Sequence, residues 1–325
     1  MIKMKPLSDI NKNKHLELLS DRFYQGLFFG LESLKPRERK KYDRGLLEYL
    51  ADSLELILVG SAADLEGFVH DFFGRYPEFC AYVGATKKGT SPDDRIHRNT
   101  LAVVHSCFNY DKFSEKANCW SAYSLVCAHN LRICPYCHAH HINYHVDASA
   151  TTVEKQYRIR PPLDHFLPKS IYPYLAVSLY NLIPSCTQCN SSIKSSADPL
   201  SLNLPSPHNS SITIDIRFSA IGWIPKNLGG TVDDLTIRVI SSCDRSKALS
   251  ENFLLSERYH WYRHEVMDLI DRFDDYDKIP AKLKSVIPVE RFVIGCPIGQ
   301  VEHRLIGFCL RDVYLELCDS KKPPA

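Results

Sequence analysis

The sequence lacks any run of about 18 consecutive apolar residues, which is the length that a membrane-spanning helix needs. Its first residues, MIKMKPLSDINKNK, also lack the apolar stretch of a secretory signal. We therefore expect a cytoplasmic protein with no membrane segment. No Gly-x-x-x-x-Gly-Lys-Ser/Thr loop occurs either, so the chain does not carry the common phosphate-binding motif of ATP-hydrolysing proteins.

Excess charge is also small. The chain has 40 Lys and Arg against 38 Asp and Glu, which gives a formal net charge of +2. Affinity for a phosphate backbone comes largely from Lys and Arg that displace counterions. If this chain binds nucleic acid, its basic residues must be segregated on one face, or a partner must supply much of the binding surface.

The 12 cysteines do not indicate a secreted disulfide framework, because the chain is long and only two pairs are closely spaced. These pairs are Cys134-Pro-Tyr-Cys137 and Cys186-Thr-Gln-Cys189. Zn²⁺ prefers four tetrahedral ligands, and two such turns complete its shell without an open position. The pairs therefore predict a structural zinc site. We expect buried, reduced thiols at the other positions, which are Cys80, Cys107, Cys119, Cys127, Cys243, Cys296, Cys309 and Cys318.

Periodicity divides the chain into three regions and predicts an α+β fold. Residues 1–130 have apolar residues at helical spacing, with a helix cap expected at Ser91 or Asp93. Residues 131–200 contain the cysteine pairs. Residues 201–325 begin with a Pro- and Ser-rich linker and continue with alternating strand patterns and two helical segments, LSENFLLSERYHWYRHEVMDLIDRF and QVEHRLIGFCLRDVYLEL.

The apolar period changes within the middle region. HINYHV and QYRIR alternate as strands do, and DASATTVEK between them predicts a hairpin loop. Pro161 and Pro162 end the second strand, so we expect Asp164 and His165 just past it. The following YLAVSLYNL has a helical pattern.

Polar residues with catalytic potential lie between and beside the cysteine pairs. Asp164 and His165 occur in LDHFLPK, Asn181 precedes the second pair, and Asn190 follows its last cysteine. This arrangement resembles the HNH nucleases, whose ββα-metal core is often held by such a zinc. The run LDHFLPKSIYPYLAVSLYNLIPSCTQCN is most similar to the HNH subunit of the Septu antiphage systems and their retron-associated relatives. The resemblance covers roughly residues 131 to 196.

The resemblance implies a role for each of these residues. His165 would be the general base, because a neutral imidazole can take a proton from water at physiological pH. Asp164, whose side chain leaves the extended backbone on the opposite side, would bind a catalytic metal with Asn190. Many HNH proteins have histidine at the Asn190 position, and an amide oxygen there favours Mg²⁺ or Mn²⁺. Asn181 would hold the catalytic loop.

Substrate and partner follow from the same resemblance. Lys169 and Lys194 are candidate phosphate contacts. DNA is the expected substrate, and a partner ATPase is expected to control cleavage during antiphage defence. The alternatives are a nuclease of the same class that cleaves RNA such as tRNA, and a zinc ribbon that binds nucleic acid or protein without catalysis. Four histidines of the first strand compete for the role of metal ligand, and these are His138, His140, His141 and His145. Of these, His141 or His145 is expected to line the cleft.

Overall fold

The computed structural model describes residues 3–115, 120–146, 157–224 and 228–320. Within this part of the chain the fold is α+β, mostly helical, with three separate pairs of antiparallel strands. The described residues include no helix with the length and apolarity to cross a membrane. The hairpin loop predicted for DASATTVEK lies outside the described residues.

The N-terminal region is helical, as its periodicity predicts. Ser91 caps the sixth helix: its side chain accepts the backbone N–H of Asp94, and the Asp94 carboxylate accepts that of Ser91. The helices are α1 Asp9–Ser33, α2 Arg44–Asp52, α3 Leu54–Val59, α4 Ala62–Arg75, α5 Pro77–Gly84, α6 Pro92–Cys107, α7 Tyr110–Ser114 and α8 Ala122–His129.

The middle region contains two short strand pairs. β1 (His145–Val146) pairs with β2 (Tyr157–Ile159). β3 (Leu163–His165) pairs antiparallel with β4 (Leu182–Pro184). The sequence placed Asp164 and His165 just past a strand, whereas both lie within β3. A seven-residue π-helical segment, Gln188–Lys194, follows β4, so the local order is strand, strand, helix.

The helix predicted for YLAVSLYNL does not form. Two 3₁₀ turns, Pro173–Leu175 and Leu179–Asn181, replace it. Every residue from 172 to 186 is buried, so the segment has no polar face that could lie against solvent as an amphipathic helix would. A hydrogen bond from the buried Asn181 side chain to the Leu175 carbonyl replaces part of a helical ladder.

The C-terminal region has the two strands that its sequence predicts, but each of the two predicted helical segments is divided. In the second segment a 3₁₀ stretch, Ile298–His303, precedes an α-helix that begins only at Gly307. β5 (Ile216–Ile221) pairs with β6 (Thr236–Ser241). The first long helical segment is interrupted at Leu254, whose φ of 51° is left-handed. The helices are α9 Asp244–Asn252, α10 Leu255–Tyr259, α11 Arg263–Tyr276, α12 Ala281–Lys284, α13 Val289–Val293 and α14 Gly307–Ser320.

Buried contacts connect the three regions around one continuous hydrophobic core. The ring of His15 on α1 hydrogen-bonds the carbonyl of Val177 in the middle region, with Nε2 and O 2.8 Å apart. On the other side, the hydroxyl of Tyr259 on α10 donates to the carbonyl of Cys137 at 3.0 Å. The middle region is thus held from both ends of the chain.

Candidate functional site: a cysteine cluster beside an acid–histidine cleft

The four paired cysteines converge on one buried point. Their sulfur atoms all lie within 4.8 Å of one another. Zn–S bonds of about 2.3 Å place the sulfurs of a tetrahedral site about 3.8 Å apart, so the cluster has the composition and size to hold a metal ion such as zinc. Backbone N–H groups of Cys186 and Cys189 point at the Sγ atoms of Cys134 and Cys186, each at 3.4 Å. Such donors stabilise thiolates.

The other described cysteines are separate from this cluster. Cys107 and Cys309 are buried, and Cys80, Cys127, Cys296 and Cys318 are partly buried. Cys243 is exposed, which corrects the expectation of a buried thiol at that position. Cys119 lies outside the described residues.

Arg258 is a charged neighbour of the cluster that the sequence did not indicate. Its Nη1 donates to Sγ of Cys189 at 3.1 Å, and its Nη2 donates to Nδ1 of His140 at 2.9 Å. Four thiolates around Zn²⁺ carry two excess negative charges, which a guanidinium partly offsets. Arg258 is 69 residues beyond Cys189, so no local motif could have found it.

Asp164 is buried between two donors. Its Oδ2 accepts from the hydroxyl of Tyr136 at 2.6 Å, and its Oδ1 accepts from Nζ of Lys194 at 3.2 Å. Burial raises the pKa of Asp164, and the ammonium of Lys194 opposes that rise. Because each carboxylate oxygen has a second lone pair, one acceptor position per oxygen remains for another ligand.

Lys194 is an interior residue. Its side chain has no exposed surface, and besides Asp164 its ammonium donates to the backbone carbonyl of His165 at 2.8 Å. The sequence suggested a phosphate contact at this position. The structure instead places Lys194 behind β3, as the counter-ion of Asp164.

A single hydrogen bond determines the tautomer of His165. Its Nε2 lies 2.9 Å from the carbonyl oxygen of Ala176. A carbonyl can only accept, so Nε2 carries the proton and Nδ1 keeps a lone pair in the neutral ring. Burial lowers the pKa of His165 to about 4, although the Ala176 contact opposes the shift. The ring is therefore neutral at pH 7.

Asn181 fixes the segment that holds this histidine. Its Oδ1 accepts the backbone N–H of Leu167 at 2.6 Å, and its Nδ2 donates to the carbonyls of Leu167 and Leu175 at 3.0 and 2.9 Å. Leu175 directly precedes Ala176, whose carbonyl holds the His165 ring. This is the geometry that a loop-holding residue needs, while its part in catalysis stays a prediction.

One cleft of about 460 Å³ brings most of the predicted site residues together. Asp164, His165, Lys169 and Asn190 line it, whereas Asn181 and Lys194 lie behind its wall. The other lining residues are Tyr110, Arg160, Pro162, Leu163, Pro168, Ser170, Ser195 and Ser196.

The cleft has oxygen donors that suit a hard divalent cation. The Nδ2 of Asn190 faces the Ser191 hydroxyl at 3.4 Å, which leaves its Oδ1 available as a ligand. An amide oxygen and a carboxylate are ligands that Mg²⁺ and Mn²⁺ accept. Asp164 and Asn190 could therefore hold such an ion, with the Lys194 ammonium as a competing cation at Asp164.

The four histidines of the first predicted strand lie elsewhere. His138 is buried and stacks on Phe308, with ring centroids 4.2 Å apart. His140 contacts the cysteine cluster. His141 is exposed and lines a different cavity, and among the described residues neither it nor His145 lines the cleft of His165.

Tyr110, His15 and Trp120 support the site from distant positions in the sequence. The edge of the Tyr110 ring contacts His165, with centroids 4.5 Å apart. His15 holds Val177, the neighbour of Ala176, and its Nδ1 accepts from Nε1 of Trp120 at 3.0 Å. These contacts join residues far apart in sequence, so periodicity could not reveal them.

Comparisons of the chain with protein-family models, with curated proteins and with solved structures give no match.

Proposed function

We propose that this protein is a metal-dependent nuclease of the HNH type. The observation that carries the proposal is the state of His165, which is neutral and held through Nε2 in the cleft that Asp164 and Asn190 also line. A passive zinc module has no need of a histidine held in this tautomer beside a carboxylate and an amide.

In the proposed reaction a phosphodiester binds in the cleft. Nδ1 of His165, which keeps its lone pair because Nε2 carries the proton, takes a proton from the attacking water. Asn181 keeps the ring aligned by holding the segment that contains Ala176. A divalent ion held by Asp164 and Asn190 would polarise the scissile phosphate and stabilise the departing 3′ oxygen. The products would carry 5′-phosphate and 3′-hydroxyl ends.

Zinc would have a structural role in this reading. Tyr136 lies between two of the cysteines and its hydroxyl holds Asp164, while Asn190 directly follows Cys189. A bound zinc would thus fix both proposed ligands of the catalytic ion. It has no open position for chemistry when four thiolates surround it.

The proposed biological setting rests on the resemblance to the Septu HNH subunits. We assign DNA as the substrate, a cytoplasmic location, and a partner ATPase that controls cleavage during antiphage defence. The net charge of +2 supports the need for a partner, because it gives little non-specific attraction to a polyanion.

Cleavage by purified, zinc-loaded protein tests the function. Plasmid DNA and total RNA are incubated with Mg²⁺, Mn²⁺ or EDTA, with the protein alone and with any ATPase that co-purifies. We expect metal-dependent cutting of plasmid with 5′-phosphate ends. Cutting of RNA instead would move the substrate to RNA. Intact substrates in every reaction of a folded protein would contradict the nuclease.

A non-catalytic zinc module is the second candidate, and the contacts of Asp164 favour it. Both carboxylate oxygens already have donors, Tyr136 and Lys194, so Asp164 is satisfied without a metal. Mn²⁺ titration of wild type and Asp164→Asn, followed by electron paramagnetic resonance, separates the two functions. A nuclease site binds Mn²⁺ through Asp164, whereas a passive module shows the same weak binding in both proteins.

A further inference from the structure

Arg160 lies in the cleft although no motif singled it out. It follows β2 and precedes Pro161, and its Nη1 donates to the Pro161 carbonyl at 3.0 Å. The guanidinium carbon is 5.1 Å from the centroid of the Tyr123 ring. These contacts hold the head group at the wall of the cleft that contains His165.

The donors of Arg160 are only partly used. A guanidinium carries five N–H groups and stays charged at any physiological pH. The buried Nε has no hydrogen-bond partner among the residues that the structure describes, and no described carboxylate forms an ion pair with Arg160. The guanidinium also has N–H groups beyond the one that the Pro161 carbonyl accepts, and an anionic ligand in the cleft can accept from them.

A second cation lies on the same wall. Nζ of Lys169 is 5.0 Å from the centroid of the Tyr110 ring and 3.7 Å from a carboxylate oxygen of Asp111, and the Lys169 side chain is 50% exposed. Burial raises the pKa of Tyr110, and the nearby Arg160 guanidinium opposes that rise. Arg160 and Lys169 are therefore both neighbours of Tyr110, whose ring edge contacts His165.

We propose that Arg160 is the principal phosphate-binding residue of the cleft. It would bind a backbone phosphate of the nucleic acid that neighbours the scissile bond, which lies at His165. A planar guanidinium can bind two phosphate oxygens at once, which the flexible Lys169 ammonium cannot do. The inference deepens the proposed nuclease function and rests on it for the identity of the polyanion. The sequence assigned a phosphate contact to Lys194, which is buried. The inference assigns that contact to Arg160, which lines the cleft.

Binding without divalent metal tests the inference independently of cleavage. Fluorescence anisotropy with a fluorescein-labelled DNA duplex compares wild type, Arg160→Gln and Arg160→Lys over a series of salt concentrations. Arg238→Gln on β6 is the matched control, since it removes the same charge from an exposed strand position outside the cleft. Zinc content and thermal unfolding confirm that each variant is folded.

We expect about tenfold weaker binding for Arg160→Gln, and a slope of log affinity against log salt that falls by about 0.9 because one phosphate contact is lost. Arg160→Lys should keep the slope of log affinity against log salt, because the charge remains. It should bind several-fold more weakly, because an ammonium cannot bind two phosphate oxygens as the planar guanidinium does. Arg238→Gln should bind as wild type does. Equal losses in the Arg160 and Arg238 variants would overturn the inference, as would a wild-type protein that does not bind the duplex.

The two proposals fail separately. A protein that binds duplex through Arg160 but never cuts it would refute the nuclease and leave the phosphate contact standing. A protein that cuts DNA with unchanged KM and kcat after Arg160→Gln would refute the phosphate contact and leave the nuclease standing.

Discussion

The cysteine cluster and the cleft are adjacent, but they are built in different ways. Four identical ligands from two turns form the cluster, and all are buried and aimed at one point. The groups of the cleft come from separate segments, including Tyr110, Arg160 and Asn190, and the Nε of Arg160 has no hydrogen-bond partner among the described residues. A closed ligand shell suits an ion that stays bound, whereas partly satisfied groups suit a ligand that comes and goes.

The position of the cleft residues depends on the cysteine cluster. Tyr136, between two of the cysteines, donates a hydrogen bond to Asp164, and Asn190, which follows Cys189, lines the cleft. No described contact of His165 reaches a cysteine. Damage to the cluster should therefore disrupt the cleft, while changes in the cleft should leave the cluster intact.

Cys186→Ser should have the largest effect. Structural zinc sites contribute on the order of 10 kcal/mol to folding, so loss of a ligand should release the metal and unfold the middle region. Metal analysis should find about one zinc per wild-type chain and much less in the variant. Circular dichroism measures the accompanying loss of structure. Cys243→Ser, at an exposed cysteine outside the cluster, is the control, and a folded, zinc-free Cys186→Ser protein would refute the structural role.

Lys194→Met, at the interior residue behind the cleft wall, should have the next largest effect. It leaves the buried carboxylate of Asp164 without its counter-ion, which costs about 3–5 kcal/mol. Lys169→Met removes an exposed lysine of the same cleft and should cost at most about 1 kcal/mol. Urea unfolding measures both values. The double variant Asp164→Asn with Lys194→Met should recover much of the loss, and equal stabilities for the two lysine variants would contradict the buried ion pair.

Acid should destabilise the protein through its buried histidines. Burial lowers the pKa of His15 to about 4, and the ring uses both nitrogens, with Val177 and Trp120. The unfolded chain has an ordinary histidine pKa and binds the proton first, so stability is full above about pH 6.5 and falls towards pH 4, by about 3 kcal/mol for this group. His15→Gln does not titrate. Urea unfolding at several pH values should show that the free energy of unfolding of this variant falls less steeply with falling pH than that of wild type. An identical pH dependence would show that His15 does not contribute to the destabilisation by acid.

Tyr136→Phe should have the smallest effect and tests the link between the regions. It removes the hydroxyl that donates to Asp164 but keeps the ring stacked on Phe253, with centroids 4.5 Å apart. A lost hydrogen bond to a charged group costs about 1.5–3 kcal/mol, and we expect the lower end because Lys194 remains. Zinc content should stay at the wild-type value while Mn²⁺ affinity changes. Unchanged Mn²⁺ binding would show that the Tyr136 hydroxyl does not couple the cluster to the metal-binding groups of the cleft.

The parts that could be predicted from the sequence are those with local signatures. The spacing of Cys134, Cys137, Cys186 and Cys189 indicates a metal site because each turn places two sulfurs side by side. The helices of the N-terminal region and the strands β5 and β6 follow from apolar periods. Local capping rules also gave Ser91 as one of two candidate caps, and the structure has the cap at Ser91.

What could not be predicted depends on burial and long-range contact. Lys194 follows Asn190 by four residues and resembles a solvated lysine until the fold buries it on Asp164. The segment around Asn181 has a helical pattern, yet complete burial and side-chain clamps give two 3₁₀ turns instead. Arg258 reaches the cysteines only because α10 packs against the cluster.

The cleavage rate of His165→Ala tests the central claim most directly. Rates are measured in Mg²⁺ at pH 7.5 on protein whose zinc content and unfolding midpoint match wild type. Loss of the general base should slow cleavage by about 10²- to 10⁴-fold, which is the usual contribution of such a group. His165→Ala protein that is folded, zinc-loaded and as fast as wild type would contradict the account.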